Sequence, residues 1–306
     1  MKKLLYILLL LPLTLKVSSV QNPLYTQFMT NPFLINPAIA GTYPYYQIIA
    51  NNRLQWVGLA DAPMTNVISM FGPMVSQPMG LGGYVMNDVT GPTSKISLML
   101  SYGYNYAIDE DLKISLGLSV GMMQYKIDGT KLNIEEQSDP VLSGEVMTDF
   151  SPDATFGVYL YSSTYHVGLA STNLLGNKIK FNQTDSISGL SRLKRHIYLH
   201  GGYKYIVNRE FAVEPAIIFR KVAAVPLQVD FNVRAWYGKR QWDKNKIWGG
   251  LSFRSSDALS IMLGFTYERK IDVGYSYDLG INKLRTQHMG SHELMISFKF
   301  NDIKDY

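Results

Sequence analysis

The residues of this 306-residue chain best suited to chemistry are five histidines, because there is no cysteine at all. Without Cys there are no disulfides, thiolate nucleophiles, Cys-bound metals or lipidated Cys. His196 and His200 are four apart, a spacing that on a helix would let both imidazoles grip one metal ion. Their surroundings read as a strand, where four positions span roughly 13 Å, so the pair does not chelate. His166, His288 and His292 lack the acidic or Cys partners at ligand spacing that a metal site needs. Gly80-Leu81-Gly82-Gly83 suggests a phosphate loop but lacks the following Lys-Ser/Thr and a helix, so it reads as a strand start. Met70, Met74, Met79, Met86, Met99, Met122 and Met123 read as packing groups rather than a cofactor box. The expectation is a protein that is not an enzyme, with no cofactor and no metal. A barrel hydrolase using His196 or His200 is the catalytic alternative.

The elements that carry these residues are organised around Lys95 to Tyr125. Ile96, Leu98, Leu100, Tyr102, Tyr104 and Tyr106 alternate with Lys95, Ser97, Met99, Ser101, Gly103 and Asn105. After the acidic turn Asp109 to Asp111 the pattern restarts, with Leu112 to Met122 apolar at every second position. Period two over ten or more residues gives a long strand with one greasy and one wet face. Globular strands run about 5–6 residues, whereas a tilted membrane-spanning strand needs roughly 9–11. Two such strands joined by a tight turn are the repeat of an outer-membrane barrel. A soluble sandwich would also alternate, but on shorter strands.

Composition agrees. Charged residues are 17%, below the ~25% of soluble domains. Tyr (21) suits strands at a membrane interface, and Gly (25) suits a barrel wall that packs against other backbone. Lys2 and Lys3, the apolar run Leu4 to Leu15, and Ser18-Ser19 read as a signal peptide over residues 1–20, cleaved after Ser19 or Val20. The run is well short of the ~20 residues of a membrane anchor. Three positive charges (Lys2, Lys3, Lys16) leave with it and bring the net charge from +5 to +2, too weak and dispersed for nucleic acid. Residues 21–44 are not a strand: Pro23, Pro32, Pro37 and Pro44 break them, yet Tyr25, Phe28, Phe33, Leu34 and Ile35 must be buried. The barrel interior or a periplasmic partner are the two options.

Residues 45–306 divide into about 14 strands, at 45–53, 66–71, 80–87, 94–107, 112–125, 153–162, 164–171, 195–207, 211–221, 226–237, 246–255, 258–269, 271–279 and 291–300. The fold class is therefore all-β, a transmembrane outer-membrane barrel of antiparallel strands. Long connections (54–65, 126–152, 172–194, 280–290) fall after odd strands and tight ones (108–111, 163, 208–210, 270) after even ones, as outer loops and periplasmic turns should. Tyr104, Tyr106, Tyr203, Tyr205, Trp236, Tyr237 and Tyr267 sit at the expected periplasmic ends as an aromatic girdle. The lumen-facing set is mixed in sign: Lys113, Lys204, Glu214, Arg220, Asp230, Arg234, Arg254, Asp272, Asp278 and Glu293. That suits internal ion pairs and argues against a single-sign selective pore.

Gln27-Phe28-Met29-Thr30-Asn31-Pro32 followed by Asn36-Pro37-Ala38-Ile39-Ala40-Gly41 resembles the opening signature of the PorP/SprF family of Bacteroidetes. The likeness continues through Arg53-Leu54-Gln55-Trp56-Val57-Gly58, Ala62-Pro63-Met64-Thr65, Gly80-Leu81-Gly82, Asn87-Asp88 and Gly91-Pro92. It resumes at Gly274-Tyr275-Ser276-Tyr277-Asp278 and Gly290-Ser291-His292-Glu293. The loops 126–152 and 172–194 match least. The resemblance implies an outer-membrane component of the type IX secretion and gliding machinery. Its partners would be outer-membrane lipids, periplasmic secretion-ring lipoproteins, or a secreted adhesin. The residues expected to act as plug or partner contacts are Phe28, Asn31, Pro32, Asn36, Pro37, Gly41, Arg53, Gln55, Trp56, Asn87, Asp88, Ser291, His292 and Glu293. Trp56 could pack under the first outer loop or meet cargo. His292 and Glu293 would hydrogen-bond at the barrel rim. A small-molecule porin or transporter is the rival reading, and it requires an open lumen.

Overall fold

Alternation places greasy residues on one face of every strand, and such a sheet buries its backbone groups in a membrane only by closing on itself. The computed structural model shows that closure; it describes residues 22–131, 146–179, 192–223, 225–238 and 245–301. The expected signal peptide lies outside the described residues, as do parts of the loops 126–152 and 172–194.

The strands are β1 (Tyr46–Leu54), β2 (Met64–Pro73), β3 (Met79–Thr90), β4 (Thr93–Ala107), β5 (Lys113–Asp128), β6 (Val146–Tyr161), β7 (Tyr165–Thr172), β8 (His196–Tyr203) and β9 (Tyr205–Ile206). They continue with β10 (Phe211–Val222), β11 (Gln228–Tyr237), β12 (Lys246–Arg254), β13 (Ala258–Tyr267), β14 (Ile271–Gly280) and β15 (Ser291–Phe300). β8 and β9 are one stave interrupted at Lys204, since both pair with β10. Every neighbour is antiparallel, and β15 returns to pair with β1 from Tyr46↔Phe300 to Leu54↔His292. The result is a closed barrel of 14 strands, each overlapping one of the expected segments. β5 and β6 run longer than expected: they stay paired out to Asp128↔Val146, which shortens the loop between them.

Sidedness follows the alternation. Leu100 is 63% exposed and the next residue, Ser101, 4%. Tyr102, Tyr104, Tyr106, Tyr203, Tyr205, Tyr237 and Tyr267 are exposed on the outer face near the short-turn end, the position of an interfacial girdle. Trp236 departs from the expected set. Its neighbours on β11 alternate strictly, Arg234 inward and Tyr237 outward, so Trp236 faces the lumen and pairs across the wall with Trp248. Lys204 departs too, lying exposed at the strand break rather than deep in the lumen.

The core is the lumen. Residues 22–45 run inside the barrel before entering β1, and Phe33, Ala38, Ile39 and Ala40 are fully buried against Ile49, Phe71, Tyr159 and Met295 of the inner wall. The wall makes room with glycine. A Cβ on Gly117 of β5 would overlap the backbone of Ala38, and one on Gly157 of β6 would overlap Asn36. A Cβ on Gly82 of β3 would stand 2.7 Å from the Phe33 ring. Gly117→Val should therefore displace the segment at a cost of about 1–3 kcal/mol while leaving the barrel closed. Limited chymotrypsin digestion checks this: cleavage at Phe28 and Phe33 should accelerate roughly tenfold or more, with heat-modifiable gel mobility unchanged.

Candidate functional site

Within residues 22–45, Pro32 and Pro37 each open a 3-10 turn, Pro32–Leu34 and Pro37–Ile39. Proline suits a first helical position because its fixed φ is preset and its missing N–H would be unpaired there anyway. The Asn36 side chain caps the second turn, its Oδ1 accepting from Ala38 N–H at 3.0 Å. Its amide also donates to the Val158 carbonyl at 3.0 Å and meets His200 Nε2 at 3.3 Å. Asn31 donates to Asn51 Oδ1 at 2.8 Å and to Ser69 at 3.0 Å. Gly41 has φ +79°, and its α-carbon region presses on Gly80, so neither position accepts a side chain. Phe33 stacks on Phe71 with ring centroids 4.6 Å apart, and Phe28 packs with Ile35, Tyr198 and Ile218.

The polar anchor is Thr26. Its hydroxyl lies 2.8 Å from both carboxylate oxygens of Asp278, and accepts from Arg53 at 3.0 Å and Arg254 at 2.9 Å. Its backbone N–H donates to Glu293 at 2.8 Å, and the Gln27 amide donates to the Glu293 carbonyl at 3.0 Å. Around it runs a chain of ion pairs. Arg53 binds Asp278 at 2.7 Å and Glu293 at 3.1 Å. Arg254 binds Asp230 at 3.1 Å and Asp257 at 3.0 Å, and Arg220 binds Asp230 at 2.5 Å. Arg53, Arg254, Asp230, Asp278 and Glu293 are all at most 2% exposed. Buried charges are tolerable only when each finds an opposite partner and further hydrogen bonds. Here the first residues of the N-terminal segment supply several of those bonds, while Arg53 Nε and Asp230 Oδ1 find no partner among the described residues.

Below this plug of side chains, toward the short turns, the lumen opens as a cavity of about 530 Å³. Arg234 lies 4.4 Å over the Trp236 ring and 5.5 Å from that of Trp248, and donates to Glu214 at 2.7 Å. Tyr159 stacks on Tyr161 and on His200 along the opposite wall.

The expected contact residues sort into three places. Phe28, Asn31, Pro32, Asn36, Pro37, Gly41, Arg53 and Glu293 meet inside the lumen. Trp56, Gln55 and Ser291 meet at the long-loop end, where Trp56 N–H donates to Ser291 Oγ at 3.0 Å and Gln55 N–H to the Pro63 carbonyl at 2.9 Å. Trp56 has φ 52° and stands beside His288. His292 and Glu293 do not act together: strand parity turns Glu293 into the lumen and His292 outward, onto the Tyr275 hydroxyl at 2.6 Å. Asn87 and Asp88 likewise part, Asp88 accepting from Thr65 at 2.7 Å on the inner face. The residue missed is Thr26. A single threonine in an apolar stretch carries no signal.

A closed antiparallel barrel with an apolar outer belt, an aromatic girdle and a packed polar lumen is an outer-membrane β-barrel. A family model described as type IX secretion system membrane protein PorP/SprF matches residues 17–298, and the chain belongs to that family. No curated protein matches it. Among solved structures it is similar to the Pseudomonas putida toluene transporter TodX (10% identity, 93% of this chain and 95% of that one, TM-score 0.53). It is equally similar to the Ralstonia pickettii toluene transporter TbuX (9% identity, 89% and 92%, TM-score 0.53). At such identities the likeness is one of fold.

Removing one partner from the buried network strands charge in the lumen. Arg53→Ala should destabilise the folded barrel by about 3–5 kcal/mol, measured by urea titration of intrinsic fluorescence in detergent. Thr26→Val should cost less, about 1–3 kcal/mol, and should free the N-terminal segment before the barrel unfolds.

Proposed function

We propose that this protein is a binding barrel of the type IX secretion and gliding machinery rather than a pore. It holds periplasmic secretion-ring lipoproteins, the C-terminal region of a secreted adhesin, or both, and so supports export and surface attachment. The observation that carries this reading is the N-terminal segment packed across the lumen. Residues 22–45 are fixed by the Thr26 anchor at one end and by Gly41 against Gly80 at the other. A segment held this way acts as a plug, and a plugged barrel works through its rims. Ring lipoproteins would meet the short-turn face; an adhesin would meet the long loops around Trp56 and Ser291. Membership of the secretion family supports the same assignment.

Two measurements test it. In planar bilayers the intact protein should show no large steady conductance, whereas deletion of residues 22–42 should open one; a large conductance in the intact protein points to a porin. A mild-detergent pulldown from native outer membranes, read by mass spectrometry, should recover secretion-ring lipoproteins or one large adhesin. Recovery of neither from secreting cells overturns the partner assignment.

A further inference from the structure

A cavity lies beneath the N-terminal segment, and its chemistry is specific. It opens at the short-turn end, past the turn Ser162 to Thr164, which is the periplasmic end of a bacterial barrel. Its volume, about 530 Å³, falls within the roughly 300–1,000 Å³ of small-ligand sites. Two features define what it can take. The first is a set of flat rings. Tyr43 and Tyr45 stack at 5.5 Å with planes 12° apart, Tyr159 and Tyr161 at 5.4 Å and 21°, and Trp236 stands beside Trp248 at 6.0 Å. The second is a lining of neutral hydroxyls, Thr30, Thr42, Ser162, Ser163 and Thr164, with charges of both signs. Among the described residues four basic and four acidic side chains line it, and two pairs neutralise each other: Arg234 with Glu214 at 2.7 Å and Lys299 with Asp272 at 2.6 Å. Arg234 is 7% exposed, and its Nε has no partner among the described residues.

Several ligand classes fit poorly. A site with no net charge gives an anion or cation no field to follow. A hydrocarbon would strip water from two ion pairs and five hydroxyls without replacing their bonds. A peptide that binds by adding a strand needs a free sheet edge, and a closed barrel has none. A pyranose chain fits both features: its C–H faces lie on Tyr and Trp rings, and its hydroxyls both donate and accept, matching the Thr and Ser groups and the Arg234 Nε–H, which is unpaired among the described residues.

We propose that the periplasmic cavity of this barrel binds a neutral oligosaccharide, stacked between the half-buried rings of Tyr161 and Trp236 and hydrogen-bonded by Arg234 and Glu214. The site opens on the same short-turn face as the proposed lipoprotein contacts, but sugar titration and pulldown read the two separately, so either can fail alone.

The test uses the full-length protein in a polyoxyethylene detergent, because a maltoside headgroup is itself a sugar. Calorimetry and tryptophan fluorescence follow titration with cellotetraose, maltotetraose and tetra-N-acetylchitotetraose. At least one should bind saturably and alter the tryptophan emission. Trp236→Ala and Tyr161→Ala should each weaken that binding roughly tenfold, the effect of losing one stacking ring. Tyr237→Ala, one residue along and facing outward, should leave it unchanged, and heat-modifiable mobility confirms that each variant is folded. No saturable binding by any of the three sugars overturns the proposal. So does binding indifferent to both inward substitutions, or capture of an aromatic tripeptide in their place.

Discussion

Three guanidinium groups and four carboxylates form one ion-paired network inside this barrel, and Thr26 sits among them. That arrangement constrains everything nearby. A guanidinium such as Arg53 offers donors in a fixed fork, so Asp278 and Glu293 must stand where the fork points. Those two carboxylates belong to β14 and β15, and Arg53 to β1, so the network spans the seam where the first and last strands meet. The barrel wall alone does not complete it. The Thr26 hydroxyl and the amides of Thr26 and Gln27 supply bonds that would otherwise come from solvent.

The same segment is held elsewhere by shape. Glycines on β3 to β6 lower the inner wall, and the Pro-opened turns lie in the groove they leave. Charge fixes one end of the segment and van der Waals fit the other. The two kinds of restraint fail differently: charges resist sliding, while a glycine groove resists any added volume. Tyr159 packs against the segment, while Trp236 and Tyr161 lie half-buried at the edge of the open space.

Much of this was legible from residue order. Period two along Lys95 to Tyr125 gave the strands, and connection lengths gave their direction, because both are local consequences of a membrane-spanning sheet. The mixed charges on Arg254, Asp230 and Asp278 marked an ion-paired lumen. What stayed hidden depends on contacts between distant residues. Nothing around Gly117 says that Ala38 will lie on it, and nothing around Thr26 says that it will face Asp278, 252 positions away. Trp236 is a different case. Reading it as girdle used its position near the strand end; parity with Arg234 would have turned it inward. His292 and Glu293 show the same lesson, since neighbours on a strand share a sequence but not a side.

The long separations also bear on how the barrel is made. Arg53 and Glu293 lie 240 positions apart, and Arg53 and Asp278 lie 225 apart. Until the last hairpin arrives, the guanidinium on β1 has no counter-charge and the N-terminal segment has no anchor. Contacts of such span form late, because their loop entropy is recovered only when the intervening chain is in place. The ion network is therefore a latch that only a completed ring can shut. A chain truncated before β14 could pair its early strands yet would carry an exposed, unpaired cation at its open edge, distinguishing unfinished barrels from finished ones by charge alone.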